Sequence, residues 1–244
     1  CKAIIPLKNG KDIGEVEFLF TDPIKSLRIN GKSYKLEGEF DRYTLKLNAA
    51  DLGDVIKIKY REKKRKWYHK KPQNPFLFIS GNFLVKTDCE YTLLDYHQTM
   101  TDGGFYLAPA EKGMSSEDLI RAGFPFMHNF VKVEAEIEFG GKLELHNLFA
   151  DATKVFIDGK DYGYVLDTPA TVECPDVAEG KHKVELVMYP SSYNKFGPHH
   201  HYEGDRHICP PTPFATEKHS GFADWPDAPE IVLDTKWRFV KFGV

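Results

Sequence analysis

Apolar and polar residues alternate along much of this chain with the two-residue period of a β-strand. In VKVEAEIEF, Val131, Val133, Ala135, Ile137 and Phe139 face one way, and Lys132, Glu134, Glu136 and Glu138 face the other. That pattern predicts a half-buried antiparallel strand. KHKVELVMY repeats it through Val184, Leu186 and Met188, and IVLDTKWRFVKFGV supplies one or two more strands near the end. Two hairpins are marked by Asn30-Gly31 within SLRINGKSYKL and Asp158-Gly159 within KVFIDGKDYGYV, where glycine tolerates a positive φ. One short helix is predicted in MSSEDLIRAG, with Ser115 as N-cap, Glu117 and Asp118 in the first turn and Gly123 as the stop. The fold class is therefore all-β, an antiparallel β-sandwich.

A seam falls in YREKKRKWYHKKPQNP, where seven Lys or Arg lie between Arg61 and Lys71 and two prolines follow. Short strands precede it (GEVEFLF, SLRINGKSYKL, YTLKLN, VIKIKY), and a longer region with its own hairpins comes after. The natural parse is a small β unit over 1–72, or the tail of a preceding β domain, and a larger sandwich over 73–244. One sandwich drawing strands from both parts is the alternative. Trp67 and Tyr68 in the basic run are of the type that stacks on bases. A solvated linker, or a face docked on an acidic neighbour, accounts for the same charges.

Composition narrows the classes. Over 244 residues, 41% are hydrophobic and 14% aromatic, and the formal net charge is −3. The overall balance excludes a polybasic nucleic-acid or membrane-surface protein. No apolar run approaches the roughly 20 residues that a membrane helix needs. The opening CKAIIPLKNG has neither a basic n-region nor an apolar h-region, so no signal peptide is expected in it. Cys1 could be a lipoprotein's lipid-bearing residue or mark a fragment boundary. The four cysteines, Cys1, Cys89, Cys174 and Cys209, form no CxxC, which argues against a zinc ribbon or a thioredoxin-like motif.

Four segments follow one another in a recognisable order. Gly123–Phe126 reads GFPF and leads into a strand; Val155–Gly163 reads VFIDGKDYG; Gly180–Val184 reads GKHKV; Asn194–His200 reads NKFGPHH. With FLFISGNFLV before them and WRFVKFGV after, this order resembles the galactose-binding-like β-sandwich (jelly-roll) domains of bacterial multidomain glycoside hydrolases. The relevant types are the family 2 sugar-binding domains and those around α-L-rhamnosidases. The chain departs from the pattern at MHNF after GFPF, and at Asp158, where relatives more often carry Asn.

The resemblance implies an accessory, non-catalytic part of a glycoside hydrolase that supports or extends a catalytic domain lying outside this chain. The implied partners are carbohydrate and that catalytic domain. A secreted, periplasmic or bacterial-surface location is expected in preference to the cytoplasm. A free-standing carbohydrate-binding protein or lectin is the first alternative.

Candidate chemistry lies in two loops. His199, His200, His201, Glu203, Asp205, His207 and Cys209 place seven possible metal ligands within eleven positions. Successive residues of an extended chain point to opposite faces, so few of them can converge. His199, His201, Asp205 and His207 are the metal candidates, and a metal-dependent enzyme centred there is the second alternative. The competing reading is a loop that packs its imidazoles against Tyr193, Phe196 and Tyr202, its turn set by Asn194 and Gly197-Pro198. In GFADWPDAPE, Asp224 and Asp227 flank Trp225, the combination with which sugar clefts stack a pyranose and bind its hydroxyls. These three are the expected carbohydrate-binding residues. Glycoside hydrolysis needs a positioned carboxylate pair, and with 36 Asp and Glu the count alone selects none. No catalytic residue is assigned. There is no GxSxG, P-loop or GxGxxG at a strand–helix junction. A structural calcium ion could use oxygens of DATKVFIDGKD or of Thr101–Gly104.

Overall fold

The computed structural model describes residues 1–21, 23–39, 42–62, 77–94, 97–111, 113–127, 129–166, 168–197, 199 and 235–244. Their strands form antiparallel sheets, as the alternation predicts. The chain divides into two compact units. One comprises Cys1–Cys89, Gly104–Phe126 and Gly243–Val244; the other comprises Glu90–Gly103 and Met127–Phe242.

The first unit opens with β1 (Lys2–Pro6), β2 (Glu15–Phe20), β3 (Ile24–Ile29), β4 (Lys32–Tyr34), β5 (Glu37–Glu39), β6 (Arg42–Asn48), β7 (Val55–Glu62), β8 (Leu77–Gly81) and β9 (Phe83–Lys86). After β10 (Thr92–Leu93) and β11 (Gln98–Thr101), which belong to the second unit, β12 (Tyr106–Pro109) pairs with β9. One sheet runs β1-β7-β3-β4 and another β5-β6-β2-β8. Their apolar faces meet: Val16, Phe18 and Phe20 of β2 are fully buried with Ile56, Ile58 and Tyr60 of β7 and Leu27 and Ile29 of β3. Phe20 meets Tyr60 edge-on at 5.2 Å. Each large side chain buried this way contributes about 1.5–3 kcal/mol. The first unit runs past residue 72 because β8 hydrogen-bonds along β2, from Val16↔Gly81 to Phe20↔Leu77.

The second unit continues with β13 (Val131–Phe139), β14 (Gly141–Leu145), β15 (Ala152–Ile157), β16 (Lys160–Val165), β17 (Ala170–Cys174), β18 (Gly180–Tyr189) and β19 (Trp237–Val240). Its sheets are β13-β18-β15-β16, β14-β17 and β10-β11-β19. Val184, Leu186 and Met188 are buried, as their alternation predicts, beside Thr153, Val155 and Ile157. β13 keeps its half-buried face at Val131, Val133 and Phe139, while Ala135 and Ile137 between them are exposed. The reason is position, since β13 is an edge strand. Charge blunts that edge. Lys132 and Lys183 bridge Glu134 and Glu185, and the Lys183 and Lys132 ammoniums hold the Glu185 carboxyl down to about 2.

Both predicted hairpins form, and the same device locks each. Asn30 and Asp158 take left-handed φ values of 49°, followed by Gly31 and Gly159 at 84° and 80°. The Asn30 N–H donates to Lys57 O while its Oδ1 accepts from Lys57 N–H at 2.7 Å. Asp158 does the same with Lys183, at 2.9 Å in both directions. A turn side chain thus extends the ladder of the neighbouring strand by one rung.

The predicted helix is shorter than its sequence suggests. α1 spans Leu119–Ala122, and Asp118, not Ser115, is its N-cap, accepting from Arg121 N–H at 3.2 Å. Ser115 Oγ accepts from Glu117 N–H one turn earlier. Gly123 ends the helix at φ 120° as expected, and a Cβ there would lie 2.7 Å from Leu84. No helix of the described residues is long and apolar enough to cross a membrane.

Candidate functional site

Register brings five chain segments of the second unit to one place. Leu145 pairs with Ala170, so the loop leaving β14 (146–151) and the residues just before β17, Thr168 and Pro169, emerge side by side. Thr168 Oγ1 donates to Leu148 O at 3.2 Å and ties them together. Gln98 pairs with Val240, which sets His97 beside Lys241; the Lys241 N–H donates to His97 O at 2.7 Å. The Asp151 N–H donates to Tyr189 O at 2.9 Å, bringing Ser191 to the same rim. Ser191 is also the N-cap of α2 (Ser192–Phe196).

These segments enclose a cleft of about 410 Å³. Phe149 is among the rings that line it. The His97 imidazole lies against Phe149 at 4.8 Å between centroids, and the Lys241 ammonium sits 4.2 Å above the same ring. Leu148, Leu166 and Pro169 give apolar surface; His146, Asn147, Asp151, Thr168 and Ser191 give polar groups. Leu166 stands 71% exposed at the rim. His97 and Asn147 hold left-handed φ values of 58° and 53°. His, like Asn and Asp, is among the non-glycine residues that take this conformation most readily. The volume falls in the range of small-ligand pockets. Rings, hydroxyls, an amide, an ammonium and a carboxylate are the groups that hold a polyol. Among the described lining residues, Asp151 is the carboxylate.

The segments that carry the sequence resemblance serve as fasteners. Asp158 of the IDG turn meets His182 of the GKHKV strand at 2.6 Å, and the other ring nitrogen of His182 lies 2.8 Å from Ala178 O. Both partners are acceptors, so both nitrogens donate only as the imidazolium. The Asp158 hydrogen bond and then the Ala178 carbonyl raise the His182 pKa; His182 and then the Lys183 N–H lower that of Asp158. Asn194, 1% exposed, acts as a false strand. Its Nδ2 donates to Val240 O and its Oδ1 accepts from Val240 N–H, both at 2.8 Å, docking α2 on β19. The GFPF segment lies in the first unit, where Gly123 O accepts from Val85 N–H at 2.9 Å.

Of the residues predicted from sequence to form a site, His199 is described. Its ring packs among Tyr193, Trp237 and Phe239 at 5.1–5.8 Å, and its Nδ1 lies 3.0 Å from Arg238 O. His201, Asp205 and His207, and the sugar candidates Asp224, Trp225 and Asp227, lie outside the described residues. Among the described residues no three His, Cys, Asp or Glu side chains come together as a ligand set. In the loop considered for calcium, Asp158 pairs with His182, Asp161 pairs with Lys154 at 2.7 Å, and Asp151 lines the cleft.

Sequence reading missed the cleft because no segment of it forms a motif. The available signals were turn formers, Asn147 and Thr168-Pro169, bracketing a strand pair. No family model and no curated protein matches the sequence. Among solved structures, the rhamnosidase from Novosphingobium sp. PP1Y is similar at 13% identity and a TM-score of 0.29. The match covers 97% of this chain and 24% of that one, so the chain spans about a quarter of the enzyme's length.

Proposed function

We propose that this chain is an accessory, carbohydrate-associated β-sandwich region of a bacterial glycoside hydrolase, and that the cleft around Phe149 is its sugar-binding site. It supports or extends a catalytic domain elsewhere in the parent enzyme. The observation that carries the reading is the cleft itself: a 410 Å³ pocket with ring, hydroxyl, amide and charged groups, Asp151 being the carboxylate among its described lining residues. A polyol fits those groups, whereas glycosidic cleavage calls for a positioned pair of carboxylates. The order of motifs that resembles galactose-binding-like domains supports the same reading. So does the use of Asp158, His182 and Asn194 to brace the scaffold.

Glycan binding by the whole chain, measured with paired variants, tests this. Asp151→Ala and Leu166→Asp, both at exposed positions, are expected to weaken binding at least fivefold without changing the melting temperature. Binding that survives both variants and is lost with Trp225→Ala moves the sugar site to the 224–227 segment. No glycan bound at millimolar concentration contradicts the proposal.

A further inference from the structure

Lys241 lines the cleft with its ammonium 4.2 Å above the Phe149 ring and no carboxylate partner among the described residues. Its backbone is fixed twice over, by the bond from its own N–H to His97 O and by the Asn194 clamp on the preceding residue, Val240. The cation–π contact steers the ammonium without consuming its three N–H donors. Among the described lining residues the carboxylate is Asp151. Asp151 and Lys241 form no ion pair with each other, so the cleft offers a cation and an anion at separate points. A neutral sugar uses both only through hydroxyls. A sugar that carries its own carboxylate places that group on Lys241, giving the ammonium a charge-assisted partner, and a ring hydroxyl on Asp151.

Resting on the reading of the cleft as a sugar site, we propose that its ligand is an acidic glycan, a chain bearing hexuronic acid units. Lys241 is the specificity-determining residue that reads the carboxylate. Phe149 positions Lys241, and Leu166 and Pro169 meet the apolar edge of the sugar ring. Replacing a neutral hydrogen bond with a charge-assisted one favours the uronate by about tenfold. Salt screens that preference, because the cleft is open to solvent.

The test is calorimetric titration of the whole chain with an oligogalacturonate trimer and, separately, with a neutral galactose trimer. It is repeated on Lys241→Gln, which keeps the backbone bond to His97. The expected result is about tenfold tighter binding of the acidic trimer, shrinking at high salt. In Lys241→Gln the ratio falls to about one, because the acidic trimer loses about tenfold more affinity than the neutral one. Equal affinities in the unaltered protein overturn the acidic assignment and leave the sugar site standing. A preference for the acid that persists in Lys241→Gln also overturns it. Binding of neither trimer overturns the sugar site and this assignment with it.

Discussion

Asn194→Ala isolates one side chain that links the scaffold to the cleft. The amide is 1% exposed and makes two 2.8 Å hydrogen bonds to the backbone of Val240, whose neighbour Lys241 lines the pocket. Each such bond is worth about 0.5–1.5 kcal/mol net, and truncation also strands the N–H and C=O it satisfied, giving about 2–3 kcal/mol in total. For a unit of this size that corresponds to a melting shift of roughly 5–10 °C. Asn194→Asp is the sharper probe. Its carboxylate can still accept from Val240 N–H but cannot donate to Val240 O, and it sets a negative charge against a carbonyl. At neutral pH it is expected to destabilise at least as much as Ala. Protonation restores a donor, so part of the loss returns as the pH falls into the carboxylate range. Differential scanning calorimetry of the three proteins at neutral and mildly acidic pH reads these effects. An Asn194→Asp variant as stable as the unaltered chain at neutral pH refutes the reasoning, as does a shift below about 1 °C for Asn194→Ala.

Two further predictions follow from the packing. Stabilisation from His182, whose pKa is raised, is full below its ordinary value and is lost as pH rises through the raised one. That from Asp158, whose pKa is lowered, is present above the ordinary carboxylate value and is lost as pH falls through the lowered one. An NMR titration is expected to place the His182 midpoint above that of a free imidazole and to find it lowered in Asp158→Asn; an unmoved midpoint contradicts the clamp. In urea unfolding, Phe18→Ala is expected to cost about 3–5 kcal/mol. Phe130→Ala, at a side chain 50% exposed, is expected to cost far less, and comparable losses at both would contradict the assigned core.

Features set by neighbours in sequence were legible from it. Asn30-Gly31 and Asp158-Gly159 announce their turns because left-handed φ values demand those residue types, and β18 announces its face because alternation is local. The start of α1 was not legible, since Ser115 and Asp118 are both able caps and only the chain path selects Asp118. The extent of the first unit was hidden too, because the partner of β8 lies near the N-terminus. The cleft was the least legible part. His97, Phe149, Leu166, Ser191 and Lys241 meet through strand register, and no one of them has a neighbour in sequence that reveals it. Even Asn194 and His182, noticed as parts of motifs, gave no sign that they close on Val240 and Asp158.

Binding without turnover is the central claim, and incubating the purified whole chain with a panel of aryl glycosides and uronate oligosaccharides tests it most directly. Product release and bound ligand are followed in the same samples. The account predicts saturable binding in the high micromolar to millimolar range, as a small open cleft allows, with hydrolysis at the rate of the protein-free control. Hydrolysis above that control, abolished by Asp151→Asn, would contradict it and make the Phe149 cleft an active site.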